Sequence, residues 1–83
     1  MEVILDGELM TDRPTVHDLL SEKLAFPEYY GRNLDALYDC LTDLRNIHLI
    51  LENWQALPDW RAAFKAVFED AENDGRGLIV TFA

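Results

Sequence analysis

Three aspartates spaced four residues apart, Asp35, Asp39 and Asp43, are the side chains best placed to do chemistry together in this sequence. In a helix that begins near Leu34, this spacing sets the three carboxylates in one row. Like charges at this spacing destabilise a helix by about 0.2–0.5 kcal/mol per pair, and the helix dipole disfavours an anion near the last turn, where Asp43 lies. The row therefore indicates either a solvated acidic face or a surface that binds a cationic partner.

The opposite side of the same helix is apolar. Its predicted core-facing stripe consists of Leu34, Leu37, Tyr38 and Leu41. Asn33 directly precedes the helix and suits the N-cap, because its side chain can accept a hydrogen bond from a free backbone amide. The loop before it, Pro27-Glu-Tyr-Tyr-Gly31, contributes two tyrosines, and Gly31 is predicted to adopt a backbone angle that other residues resist. Aromatic side chains beside aligned carboxylates favour the recognition surface.

A second acidic group lies near the end of the last predicted helix, where the helix dipole disfavours anions. It consists of Glu69, Asp70, Glu72 and Asp74. Taken alone, this group is equally consistent with a solvated surface. Together with the aspartate row, it indicates the second edge of one negative patch.

The charge balance limits the classes of partner. The 83 residues contain 7 Lys and Arg against 16 Asp and Glu, a net charge of −9. Such a charge repels nucleic acids and anionic membranes and attracts basic proteins. No apolar run approaches 18 residues and no signal-type segment is present, so we expect a soluble protein of the cytoplasm. The single Cys40 cannot form an internal disulfide, which suits that compartment.

Catalytic and cofactor chemistry have little support. A catalytic thiol would need a base beside Cys40, which we expect to be a half-buried packing residue. Neither His17, predicted to be exposed on a helix, nor His48, predicted to be hydrogen-bonded in a strand, is placed to serve it. The aspartate row can share a metal ion, but no EF-hand spacing or Glu-x-x-His pair accompanies it. No glycine-rich turn follows the first strand. We therefore predict no enzymatic activity, no metal and no cofactor.

Apolar runs predict three strands, at residues 2–6, 47–51 and 77–82. The middle run is almost continuous, as expected for a strand of a parallel sheet that is covered on both faces. Helical patterns between the runs give the order β-α-α-β-α-β. The chain is thus predicted to form one domain, residues 1–83, of the α/β class, with a small three-stranded parallel sheet packed by three to four helices.

The ends of the outer two helices are also marked in the sequence. Thr15 is the predicted N-cap of the first helix, which Pro27 ends. Asp59 is the predicted N-cap of the last helix, which Gly75 ends. The predicted inner faces consist of Val16, Leu19, Leu20 and Leu24 in the first helix and Trp60, Phe64, Val67, Phe68 and Ala71 in the last. Residues 52–58 are predicted to connect strand to helix, and the sequence leaves open whether they form a short helix.

The central segment resembles the barstar family of bacterial inhibitors of barnase-type ribonucleases. The resemblance is carried by Pro27-Glu-Tyr-Tyr-Gly31, Asn33-Leu-Asp-Ala-Leu37 and Asp39-Cys-Leu-Thr42, and it extends more weakly over the whole chain. It implies a barstar-like fold and tight, non-covalent inhibition of a guanyl-specific microbial ribonuclease. The expected complex is 1:1, with an inhibitor that is monomeric when free.

The resemblance also implies roles for individual residues. Asp39 is expected to be the central carboxylate that mimics a substrate phosphate, with Asp35 as its neighbour, and Tyr29 is expected to contact the base-binding side of the enzyme. Asp70 is expected to meet a peripheral basic residue. The predicted partner-binding residues are Tyr29, Tyr30, Gly31, Asn33, Leu34, Asp35, Tyr38, Asp39, Thr42, Asp43 and Asp70.

Several positions depart from the family pattern. Tyr38 replaces a tryptophan, Asp43 and Leu44 stand where barstar has glycine and tryptophan, and Arg76 replaces its second cysteine. The segment between the second strand and the last helix is also shorter. These departures leave open an alternative function, a barstar-like immunity or interaction module that binds a different basic toxin or protein.

Overall fold

A three-stranded parallel sheet forms the centre of the structure, a computed structural model that describes residues 1–83. The strands are β1 (Glu2–Asp6), β2 (Ile47–Glu52) and β3 (Leu78–Phe82), paired in the order β1-β2-β3. The helices are α1 (Arg13–Leu24), α2 (Leu34–Thr42) and α3 (Arg61–Asp74). Short 3₁₀ turns follow β1 at Gly7–Leu9 and β2 at Trp54–Ala56. The predicted α/β class, parallel sheet and element order are confirmed, and the connector at residues 52–58 contains one 3₁₀ turn.

The helices cover only one face of the sheet. Leu5, Leu49 and Leu51 point toward them and are almost fully buried. On the other face, Ile4 and Ile79 keep 51% and 60% of their surface exposed. The prediction that β2 is covered on both faces was therefore wrong. The nearly continuous apolar run of β2 instead reflects its central position, because a strand with a neighbour on each side is partly buried even where no helix covers it.

His48 lies on this open face of the sheet. Its Nε2 is 2.8 Å from Oγ1 of Thr81 on the neighbouring strand, as the prediction of a hydrogen-bonded strand residue requires.

The first helix begins at Arg13, earlier than predicted, because Asp12 is its N-cap. Oδ1 of Asp12 accepts hydrogen bonds from the hydroxyl and the backbone amide of Thr15, at 2.6 Å and 2.9 Å. These two bonds lower the pKa of the Asp12 carboxyl. The predicted cap, Thr15, lies inside the first turn, since Pro14 fits a position that needs no backbone N–H.

The N-cap of the last helix is also a different residue from the predicted one. Trp60 occupies the N-cap position without a side-chain hydrogen bond, and Asp59 does not cap the helix. The helix ends at Gly75, as predicted, but in an extended conformation and not a left-handed one. Glycine is needed there for space, because a Cβ would lie 2.8 Å from the carbonyl oxygen of Ala71 and 3.4 Å from Cα of Thr42. This close approach brings the C-terminal ends of α2 and α3 together.

The core lies between the sheet and the three helices. Among the helical residues predicted to face inward, the buried ones are Val16, Leu20, Leu24, Leu37, Leu41, Phe64, Phe68 and Ala71. The half-buried ones at its margin are Leu19, Leu34, Tyr38, Trp60 and Val67. None of the helices combines the length and the apolar composition that a membrane-spanning helix requires.

Candidate protein-binding site

The entry into α2 is built by Asn33 and the residue before it. Oδ1 of Asn33 accepts a hydrogen bond from the amide of Ala36 at 2.8 Å, which confirms the predicted N-cap. The left-handed backbone conformation falls at Arg32 (φ 53°) and not at Gly31, so that prediction was wrong. The conformation costs a non-glycine residue about 1–2 kcal/mol. Gly31 instead provides room, because a Cβ there would lie 3.2 Å from Nδ2 of Asn33.

The carboxylate row lies on the exposed side of α2. Asp35 and Asp39 are exposed along the helix, and Asp43 is the exposed residue that caps its C-terminus. The opposite side, with Leu37 and Leu41, has no exposed surface. The predicted division of the helix into an apolar and an acidic face is thus confirmed. Leu34, at the first position of α2, is half-buried against the core.

The C-terminal end of α2 carries its own cation. Nη1 of Arg45 donates hydrogen bonds to the carbonyl oxygens of Thr42 and Leu44, at 3.1 Å and 2.9 Å. A guanidinium at these free carbonyls complements the negative end of the helix dipole. The hydroxyl of Thr42 donates to the carbonyl oxygen of Asp39 at 2.9 Å. Arg45 therefore stabilises a helix end that Asp43 alone would destabilise.

The two tyrosines of the loop point in opposite directions. Tyr29 is 88% exposed, whereas Tyr30 is only 8% exposed. The Tyr30 oxygen lies 2.6 Å from Nδ1 of His17, and its ring packs 4.9 Å from that of Phe26. Burial raises the pKa of Tyr30 strongly. Tyr30 was predicted to bind the partner, but in this structure it belongs to the core, and only Tyr29 is available to another molecule.

His17 was predicted to be exposed and is in fact 6% exposed. Besides Tyr30, its ring contacts Phe64, with 5.2 Å between the ring centres. Burial, and to a smaller extent the charge of Arg32, lower the pKa of the imidazole. The prediction failed because the partner of His17 lies 13 residues away in a loop, and the helical pattern of α1 holds no sign of it.

A groove runs beside the acidic face, between α2 and the segment that follows α1. It has a volume of about 290 Å³, and its walls include Tyr29, Asp39, Asp43 and Leu44. Cys40 lies half-buried in the same wall, as predicted. Burial raises the pKa of its thiol, and the carboxylates of Asp43 and Asp39 raise it further. A thiol in this environment stays protonated and is a poor nucleophile.

The last helix supplies a second acidic edge next to α2. The hydroxyl of Tyr38 donates a 2.5 Å hydrogen bond to Oδ2 of Asp74. This bond is the largest cause of the raised pKa of Tyr38, and the charges of Asp70 and Asp39 contribute to it. Carboxylates from both helices therefore surround one phenol. Tyr38 was predicted to face the core, but it lies half-buried at the junction of the two helices.

Glu72 does not join this patch. Its Oε2 accepts a 2.7 Å hydrogen bond from the backbone amide of Val80, so its carboxylate connects α3 to the middle of β3. The prediction that the whole acidic group of α3 forms one edge is corrected at this position. We use the term acidic face below for the three exposed aspartates Asp35, Asp39 and Asp43 together with Asp70 and Asp74, the α3 carboxylates whose charges act on Tyr38. Glu69 is also exposed, but no contact connects it to this group.

No carboxylate of the acidic face forms an ion pair within the chain. The ion pair in the structure joins Arg32 to Asp18, and Nδ1 of His48 lies 3.8 Å from Oε2 of Glu2; both contacts lie outside the acidic face. No three His, Cys, Asp or Glu side chains are arranged so that they could hold a metal ion. The carboxylates therefore produce a negative potential beside an exposed tyrosine, and such a potential attracts basic surfaces.

Comparisons with known proteins define the class of this small α/β domain. The chain matches the family model described as Barstar (barnase inhibitor) over residues 1–83. The chain belongs to the barstar family.

A named relative comes from Bacillus subtilis (strain 168), a protein called "Putative ribonuclease inhibitor YrdF". The two sequences are 46% identical over 56 residues, which is 65% of this chain and 62% of the relative. The chain thus spans slightly less than two thirds of the length of that relative.

Proposed function

We propose that this protein inhibits a barnase-type, guanyl-specific microbial ribonuclease by covering its active site with the acidic face and the adjacent loop. Membership of the barstar family and the printed name of the relative support the inhibitory role. The observation that carries the proposal for the site is the row of unpaired carboxylates on α2 beside the exposed Tyr29. The proposed complex is 1:1, and the free inhibitor is a monomer in the cytoplasm.

The mechanism follows from the chemistry of a ribonuclease active site. Such a site binds substrate phosphates through Arg, Lys and His side chains, and carboxylates can take the place of those phosphates. Successive turns of α2 present carboxylates about 5–6 Å apart, on a backbone already fixed by the Asn33 cap. Because Asp39 lies in the middle of the row and in the wall of the groove, it is proposed to enter the phosphate site, with Asp35 next to it.

Aromatic and peripheral contacts complete the proposed interface. Tyr29 projects from the loop and is free to pack on the base-binding side of the enzyme. Asp70 extends the negative potential to the edge of α3. Long-range attraction accelerates the encounter and desolvated charge pairs slow dissociation, effects for which the barnase–barstar complex is the standard example.

Inhibition of RNA cleavage tests this proposal. A purified guanyl-specific microbial ribonuclease is titrated with the wild-type protein, Asp39→Ala and the matched control Asp59→Ala. Asp59 is exposed and caps no helix, so its replacement removes the same charge away from the acidic face. We expect stoichiometric inhibition by the wild type and the control, and a large loss with Asp39→Ala. Full inhibition by Asp39→Ala would refute the assigned role of the acidic face.

A second candidate function is an immunity or interaction module for a different basic toxin or protein. The observation that favours it is the composition of the groove, since Asp43 and Leu44 stand where the family resemblance expects glycine and tryptophan. A partner with a differently shaped basic surface would fit this rim. No inhibition of guanyl-specific ribonucleases, together with a 1:1 complex with another basic toxin, would support this alternative against the first proposal.

A further inference from the structure

A cavity of about 480 Å³ lies where the N-terminal turns of all three helices meet, away from the groove beside the acidic face. Arg13 and Pro14 come from α1, Asn33 and Leu34 from α2, and Trp60 and Ala63 from α3. The positive end of each helix dipole is therefore directed toward the same region. Its volume falls within the range of about 300–1,000 Å³ that is usual for small-molecule sites.

The charge of the cavity is opposite to that of the protein. Arg13 and Arg32 line it and no carboxylate does, although the whole chain carries a net charge of −9. Arg13 occupies the first position of α1, where the helix dipole disfavours a cation, and takes part in no ion pair. Arg32 pairs with Asp18 at the surface, but 56% of its side chain remains exposed. Both guanidiniums are thus accessible to an added anion.

One ring nitrogen of His17 also faces the cavity without a partner in the chain. His17 lines the cavity and is 6% exposed, and its Nδ1 shares a hydrogen bond with the hydroxyl of Tyr30. Nε2 makes no hydrogen bond within the chain. This nitrogen is therefore free to form one hydrogen bond with a molecule in the cavity.

The remaining wall is apolar. The rings of Trp60 and Phe64 meet nearly edge to face, with centres 5.6 Å apart, and Pro14 and Leu34 extend the same surface. Trp60 is only half-buried, so part of its ring can still be covered. Aromatic side chains in this arrangement favour another ring packed against them.

From these observations, we propose that the cavity binds a small aromatic anion. Its carboxylate or phosphate group would lie between Arg13 and Arg32, because guanidiniums match the geometry of both groups. Its ring would pack on Trp60, and Nε2 of His17 would form a hydrogen bond with a polar atom of the ligand. This cavity shares Asn33 and Leu34 with the predicted partner-binding residues, but none of the carboxylates of the acidic face lines it.

Titration with phenyl phosphate, followed by ¹H–¹⁵N NMR spectra of the whole chain, tests the proposal. We expect saturable shifts of the Trp60 indole N–H and of the amides of Asn33 and Leu34. Benzoate, inorganic phosphate and phenol form the other arms. Benzoate identifies the preferred anionic group, whereas phosphate without a ring and phenol without a charge should each bind at least tenfold more weakly.

Variants separate a specific site from general attraction. Arg13→Gln should weaken binding of phenyl phosphate at least tenfold, and Trp60→Leu should weaken it to a similar degree. Arg76→Gln is the matched control, since it removes one exposed positive charge outside the cavity and should leave binding unchanged. Absence of saturable shifts at these residues, equal loss with Arg76→Gln, or equally tight binding of inorganic phosphate would overturn the proposal.

Discussion

The acidic face and the His17–Tyr30 pair lie on either side of the same loop, but their polar groups are in opposite environments. Tyr30 and His17 are buried and hydrogen-bonded to each other. Asp35 and Asp39, only a few residues further along the chain, are exposed and pair with no cation. Polar groups that find partners inside the chain serve stability, whereas those left without partners are available for binding. Four predictions test this distinction.

The largest effect is expected for Asp39→Ala on the affinity for the ribonuclease. Truncating a central charged contact of an interface costs about 2 kcal/mol or more, which corresponds to at least a thirtyfold rise in Kd. The free energy of unfolding should change by less than about 0.5 kcal/mol, as is usual for surface positions. Isothermal titration calorimetry and urea unfolding measure the two quantities. A loss of stability as large as the loss of affinity would show that Asp39 serves the fold and not only binding.

The next effect concerns the two adjacent tyrosines. Tyr30→Phe leaves Nδ1 of His17 buried without a partner, and we expect it to lower the free energy of unfolding by about 1–3 kcal/mol. Tyr29→Phe is the matched control and should not change stability, because Tyr29 is 88% exposed. Urea unfolding of both variants provides the measurement. Equal stability of the two would show that the internal hydrogen bond contributes little.

A smaller effect is expected when the pH is lowered. Because burial depresses the pKa of His17 below 6.5 in the folded state, the unfolded chain binds more protons, and stability falls as the pH drops below about 6.5. Hydrogen bonds likewise depress the pKa of Asp6 and Asp12, but this adds a loss only as the pH falls below about 3.8.

Urea unfolding between pH 7.5 and 5 isolates the contribution of the histidine. The slope of stability against pH should be smaller in His17→Gln and should persist in His48→Gln, whose ring lies on the open face of the sheet. An unchanged slope in His17→Gln would contradict the prediction.

The smallest effect is expected for neutral substitutions within the row. Asp39→Asn or Asp43→Asn removes a repulsion between like charges worth about 0.2–0.5 kcal/mol per pair, so the free protein should be equally stable or slightly more stable. Thermal unfolding of each variant checks this. A clearly lower midpoint for Asp39→Asn would identify that carboxylate as structural.

The fold could be predicted because its signals are local. Apolar runs located the strands, helical spacing placed Leu37 and Leu41 in the core, and Asn33 was identified as a cap from its position alone. The cap of α1 was misplaced because Asp12 and Thr15 are both suitable residues, and the sequence does not show which one precedes the first turn.

The details of the site depended on contacts that no local pattern records. Tyr38 bonds to Asp74 across 36 residues, and Glu72 turns away to bond the amide of Val80. Which of the two adjacent tyrosines faces inward depends on the position of His17, which lies in another segment of the chain, in α1. The sequence therefore predicted the acidic row itself but not which of its neighbours share the surface.

The pairing of the strands has a consequence for how such a protein can evolve. Glu2 pairs with His48 and Ile47 pairs with Leu78, so each strand contact joins segments more than 30 residues apart. In folds of this kind, the rate of folding depends mainly on closing such distant pairs. Exposed substitutions on the acidic face lie outside these pairs and should leave that rate nearly unchanged. Substitutions on the acidic face can then change which partner is bound while the chain still folds.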